Sequence, residues 1–152
     1  MAAVVDRIIN TSFTRFKKLA ADLIAKKTTI TTIATAGAVT YTIAQLAGGI
    51  ILRDTAGAIR SDVLPTASLI MAYLKNSNIG DSFEFTVINN SGAANTLTLT
   101  AGTGVTLFGT MTVAQGIMQT FRVVLTQKVT MIGHLPTTPA VSVYHVAGGG
   151  IY

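Results

Sequence analysis

The chain has 152 residues, 49% of them hydrophobic and only 11% charged, with no cysteine and no tryptophan; an ordinary soluble domain carries about 25% charged residues. That length fits one compact domain with its own core, and the absence of cysteine excludes disulfides, thiolate metal centres and a cysteine nucleophile. The formal charge of +5 is unevenly spread: residues 1–27 hold six bases against two acids, and the rest of the chain five against four, so the basicity does not describe a basic face on the main domain. A surface this poor in charge promotes association, and part of it is expected to lie against partners.

Residues 3–27 are predicted to form an amphipathic helix. Val4, Val5, Ile8, Ile9, Phe13, Phe16, Leu19, Ala20, Leu23 and Ile24 recur in steps of three and four, which puts them on one stripe. Arg15, Lys17, Lys18 and Lys26 lie largely off that stripe, and Lys26 and Lys27 at the end suit the helix dipole. The region where a secretory signal would carry its apolar core is interrupted by Asp6 and Arg7. The longest apolar-leaning run, Val39 to Leu52, is too short to cross a bilayer. The helix is expected to be a tether that docks into a groove on another protein or self-associates. Packing on its own domain ranks next, then contact with a membrane or nucleic acid.

From Thr28 onward the pattern is that of strands. Thr28–Ile33 and Ala38–Ile43 are predicted strands, Leu46 to Gly49 a turn, and Ile50–Arg53 a short strand. Asp54 to Gly57 has the composition of a loop tip. A single short internal helix is predicted over Thr66–Lys75, where Leu69, Ile70, Tyr73 and Leu74 have helical spacing and Pro65 suits the start. Ser82–Ile88 alternates, with Phe83, Phe85 and Val87 opposite Glu84 and Thr86. Thr96–Thr100, Val105–Phe108, Thr110–Val113, Gln119–Thr126, Val129–His134 and Val141–Val146 complete the strands, with turns at Asn89 to Gly92 and around Gly102 and Gly104. Short strands with turn signals at this spacing argue for a sandwich or closed barrel. The organisation expected is a basic arm over 1–27, a β-domain over 28–147 and a flexible tail over 148–152.

Little in the sequence carries reaction chemistry. The only histidines, His134 and His145, fall on neighbouring predicted strands and could approach each other with one acid as a metal site. The plainer and preferred reading makes both of them hydrogen-bonding residues of a surface or an interface. Gly102-Thr103-Gly104 lacks the lysine and following helix of a phosphate loop and reads as a turn. Tyr41, Tyr73, Tyr144 and Tyr152 are too dispersed to mark a sugar platform. No catalytic residue, metal ligand or cofactor site is assigned, and the chain is not expected to be an enzyme. The charged residues Arg53, Asp54, Arg60 and Asp62 surround a glycine-containing loop. They read either as an interface ion-pair set that orients one subunit on another or as a solvated hairpin tip. With Val5, Ile9, Phe13, Phe16, Leu19 and Leu23 of the predicted helix they form the candidate interface set.

Ordered words between Tyr41 and Leu125 carry a resemblance. They are Ile43-Ala44-Gln45-Leu46 with Gly48-Gly49-Ile50-Ile51-Leu52-Arg53-Asp54, then Asp62-Val63-Leu64-Pro65-Thr66-Ala67, then Gly80-Asp81-Ser82-Phe83-Glu84-Phe85-Thr86-Val87-Ile88-Asn89. Further on come Thr96-Leu97-Thr98-Leu99, Ala101-Gly102-Thr103-Gly104-Val105-Thr106-Leu107, Gly109-Thr110-Met111-Thr112-Val113-Ala114-Gln115 and Phe121-Arg122-Val123-Val124-Leu125-Thr126. This stretch resembles a recurring segment in structural and uncharacterised proteins of bacteriophages and large DNA viruses. The resemblance implies a mainly β fold, an antiparallel β-sandwich of jelly-roll type, and brings no catalytic residues. It also implies a place in the virion capsid as a cement, decoration or minor capsid protein. The expected partners are the major capsid protein or other virion proteins and further copies of the chain, with a homotrimer favoured and no small-molecule substrate. The basic helix before the resemblance and an extra hairpin or loop over Gln127–Ala140 depart from the pattern. A receptor- or glycan-binding spike module, and a shell-forming capsid protein with a genome-facing basic arm, are the alternative readings.

Overall fold

A computed structural model describes residues 28–74, 77–128, 131–132, 135–136 and 138–150. The helix predicted over 3–27 and its interface residues Val5, Ile9, Phe13, Phe16, Leu19 and Leu23 lie outside the described residues. The elements run β1 (Thr29–Ile33), α1 (Ile43–Gly48), β2 (Gly49–Arg53), β3 (Arg60–Val63), α2 (Ala67–Tyr73), β4 (Ser82–Asn89), β5 (Leu97–Thr100), β6 (Val105–Phe108) and β7 (Thr112–Val113). They continue with β8 (Ile117–Gln127), β9 (Met131–Ile132), β10 (Leu135–Pro136) and β11 (Ala140–Gly150).

The fold is mainly β, and its sheets are mixed. Six strands form one sheet in the order β1-β2-β4-β8-β11-β6, three form a second in the order β3-β5-β7, and β9 pairs with β10. The expectation of purely antiparallel pairing is corrected here. The pairs β1–β2, β2–β4, β11–β6 and β3–β5 are parallel, and β8 alone opposes the other strands of the large sheet. Parallel neighbours cannot be joined by a tight hairpin; each needs a crossover connection. The crossovers from β1 to β2 and from β2 to β4 carry α1, β3 and α2, and these segments cover one face of the large sheet.

Local sequence explains both helices. Thr42 caps α1 with its side-chain oxygen on the Gln45 N–H (3.3 Å), while the Gln45 side chain takes the Thr42 N–H (2.7 Å). This is a reciprocal capping box, Thr42-Ile43-Ala44-Gln45. Gly49, at φ 104°, ends the helix in a backbone conformation that glycine adopts without a Cβ penalty. The strand expected over Ala38–Ile43 is therefore replaced by a single bridge from Thr40 to Val63 and the start of α1. Thr66 caps α2 through the Leu69 N–H, so the expected internal helix is present, and two short helices stand where one was expected. The hairpin of β9 and β10 falls inside Gln127–Ala140. Strand β11 continues through Gly150, pairing Gly148, Gly149 and Gly150 with Gln119, Met118 and Ile117, where a flexible tail from 148 was expected.

One core holds the two layers together. From the inner face of the large sheet it takes Ile51, Phe85, Val87, Phe121, Val123, Leu125, Val141 and Val143; from the cover it takes Leu97, Leu99, Val113, Leu46, Ala67 and Ile70. The rings of Phe85 and Phe121 stack with centroids 5.4 Å apart across the β4–β8 pair. Full burial of each such large apolar side chain stabilises the fold by about 1.5–3 kcal/mol. Gly102 lies where a Cβ would run into the backbone carbonyls of Leu64 and Pro65, so only glycine allows the 102–105 turn to close against the start of α2.

Candidate functional site

The charges around the Asp54 to Gly57 loop do not lie on a surface as a set. Arg53 ends β2 and Asp62 sits in β3, and both side chains are 0% exposed. Arg53 Nε donates to Asp62 Oδ2 at 2.7 Å and Nη2 to Asp62 Oδ1 at 3.4 Å. The other guanidinium protons go to the backbone: Nη1 donates to the carbonyls of Thr35 (2.9 Å) and Asp54, and Nη2 to that of Gly37 (2.7 Å). All five guanidinium donors are thus in use. On the other side, Asp62 Oδ2 also accepts from Tyr41 OH at 2.8 Å, and Oδ1 from Val39 N at 2.9 Å. Its four acceptor positions are filled. Burial first, and the Asp62 carboxylate next, push the Tyr41 phenol far above its ordinary range, so it remains a donor.

A second buried node sits beside the first. Asn89, at the end of β4, donates to the carbonyls of Asn95 and Val113, both at 2.9 Å. Its Oδ1 accepts from Ser91 Oγ at 2.6 Å, and Ser91 Oγ in turn accepts from Thr55 N at 3.0 Å. The two nodes tie the loops at one end of the sheets to each other. The Arg53 and Asp62 side chains keep no spare hydrogen-bonding capacity, and the two nodes together make a rigid joint.

For Arg53 and Asp62 the surface readings, interface pair and solvated tip alike, are corrected: both are inside the domain. Asp54 and Arg60 are half-buried; Asp54 Oδ1 accepts from Ala56 N at 2.8 Å and Arg60 Nε donates to the Thr55 carbonyl at 3.2 Å. Both serve the local loop. Of the two histidines, His134 lies outside the described residues, and His145 sits on the inner face beside Phe121, ring centroids 5.8 Å apart. Its Nε2 has no hydrogen-bond partner. Among the described residues no group of three His, Cys, Asp or Glu side chains is placed to hold a metal. Gly102 and Gly104 form the expected turn, with Val105 N donating to the Gly102 carbonyl at 3.0 Å.

The feature that sequence reading missed is the outer face of the large sheet. Register places Ile30, Ile50, Leu52, Ile88, Met118 and Val124 on it, together with Tyr144 and Phe108. Ile30 is 64% exposed, Phe108 47%, Met118 42% and Tyr144 38%. The rings of Phe108 and Tyr144 stack at 5.0 Å and 10°. Thr86 and Thr120 bond hydroxyl to hydroxyl at 3.0 Å in the middle of the face. Among the described residues its only charged pair is closed on itself, with Arg122 Nε and Nη2 on Glu84 Oε1 at 3.0 and 2.5 Å. Period-two alternation marks these positions in the sequence, but only the register shows that they share one face. Comparison with protein-family models, with curated proteins and with solved structures gives no match.

Proposed function

We propose that this protein is a structural component of a larger assembly, a β-rich domain that acts through surfaces it shares with neighbours and performs no reaction. More particularly, it is a virion-associated protein of the cement, decoration or minor capsid kind, located in the capsid and bound to the major capsid protein or other virion proteins and to copies of itself. The observation that carries the first part is the contrast between saturated interior charges and a broad, charge-poor outer face that exposes large apolar side chains among hydroxyls. The second part is supported by the ordered likeness between Tyr41 and Leu125 to virion segments. The jelly-roll sandwich relationship rests on that same likeness, with the two layers around one core as support.

In such a role the rigid joint at Arg53, Asp62 and Tyr41 keeps the sheet's shape, and the sheet delivers the contact. Burying apolar surface contributes about 25 cal/mol per Å² before the costs of association. A modest contact repeated over a symmetric shell braces it. The test is rebinding: full-length protein added to particles stripped of it should return to them at fixed stoichiometry and raise the temperature at which shells break. No rebinding, or turnover of a substrate by the dilute protein, overturns the reading.

The exposed Phe108–Tyr144 stack favours one second reading, a receptor- or glycan-binding module, because aromatic faces bind sugar rings. Retention on a glycan array that Tyr144→Ala abolishes would select it.

A further inference from the structure

We infer that the outer face of the six-stranded sheet is the surface through which one copy of the chain docks on a second copy, face to face. The inference deepens the assembly reading above and rests on it, naming both the surface and the partner.

Three observations select this occupant. The first is charge. Among the described residues Glu84 and Arg122 are the only ionic groups that register places on the face, and they neutralise each other within one copy. Two such faces meet without stranding a charge or opposing like charges, whereas a basic or acidic partner finds nothing to pair with. The second is area. Six strands about 4.8 Å apart and four to eleven residues long give a flat footprint on the order of 600 Å² per copy. The pair then buries about 1,200 Å² in total, the lower end of the range for specific stable interfaces.

The third observation is width. Exposed apolar groups run from Ile30 on one edge strand, through Met118, to Tyr144 and Phe108 at the other edge. That is about 24 Å between the outer strands. A single helix laid along the strands covers about 10–12 Å of it; a second sheet covers it all. The stacked Phe108–Tyr144 rings are ordered before contact, which is how aromatic anchors at interfaces keep their entropic cost low. A face-to-face contact is two-fold and uses the same patch on both copies. The native mass is then an even multiple of the chain, in place of the trimer favoured from the sequence.

The chain has no cysteine, so a single introduced thiol reports one position in the full-length protein. In Met118→Cys and Ile30→Cys, thiol labelling should slow at least tenfold at concentrations where the native mass is an even multiple, and recover on dilution. Ile59→Cys, in the loop before β3, should label at one rate throughout. Met118→Lys should yield a monomer with unchanged circular dichroism and melting temperature, and Ile30→Lys provides the same test on another strand. Protection that persists at every dilution means that the chain covers its own face, and overturns the inference. So does a monomeric native protein with freely labelled thiols. A trimeric mass, or an oligomer whose outer-face thiols label freely, overturns it too. The last two results leave the assembly reading standing, because particle rebinding is measured separately.

Discussion

The two faces of the large sheet are built from the same strands, yet they handle polar groups in opposite ways. On the inner side an arginine and an aspartate are fully buried, and every donor and acceptor they own is spoken for. On the outer side charge is scarce, hydroxyls bond to one another, and large apolar side chains face solvent. The difference teaches that burial, and not residue type, decides what a charge does in this chain. The Arg53–Asp62 pair costs a great deal to break, while Glu84–Arg122 is nearly dispensable to the fold.

That contrast can be broken most forcefully at Asp62. Asp62→Ala leaves a buried guanidinium without its counter-ion, and breaking a pair of this kind costs about 3–5 kcal/mol. Urea unfolding should show the loss, and the double variant Arg53→Met with Asp62→Leu should recover much of it. A double variant as unstable as Asp62→Ala would deny that the stranded charge is the cause. Gly102→Ala should cost about 1–3 kcal/mol, because the added methyl meets backbone that cannot step aside; a melting temperature unchanged within a degree contradicts it.

Tyr41→Phe removes one of the four donors to Asp62 and should cost about 1–2 kcal/mol at neutral pH. It also has a pH signature. The phenol is raised in the folded protein, so its contribution is complete below the unfolded value near 10 and declines as pH rises above it. Wild-type stability should therefore fall more steeply than that of Tyr41→Phe above about pH 10. Parallel pH curves for the two proteins would rule this out. The smallest effect belongs to the outer face: Glu84→Gln should change stability by about 0–1 kcal/mol, since the pair is half exposed. A loss comparable to that of Asp62→Ala would erase the distinction between the faces.

Most strands were legible because alternation is a local property. Phe83, Phe85 and Val87 announce which side of β4 is inward, and Leu97 and Leu99 do the same for β5. Helix α1 was missed: Thr42 and Gln45 carry its capping box, but the β-branched residues before it argued for a strand, and Leu46 to Gly49 read as a turn. Strand β3 was not legible: Arg60-Ser61-Asp62-Val63 shows no alternation, and it joins a sheet because Asp62 finds Arg53 and Tyr41 across long stretches of chain. Parallel pairing is likewise invisible locally, since strand direction is set by the crossovers. Of the candidate site, Arg53 and Asp62 were grouped with Asp54 and Arg60 around one loop, and nothing in their spacing shows that these two alone are buried against each other. The outer face escaped notice because its members are spread from residue 30 to residue 144.

Strand β11 lies between β8 and β6, and among the described residues β6 has no other neighbour in its sheet. During synthesis, residues 105–108 leave the ribosome well before residues 140–150, the strip they must zip against. Until that strip arrives the inner residues Val105 and Leu107 have no seat, and the large sheet is open on one side. A chain cut off before residue 140 therefore lacks the strand that bridges β8 and β6, and it leaves both of those strands with an unpaired edge that can template pairing with another chain.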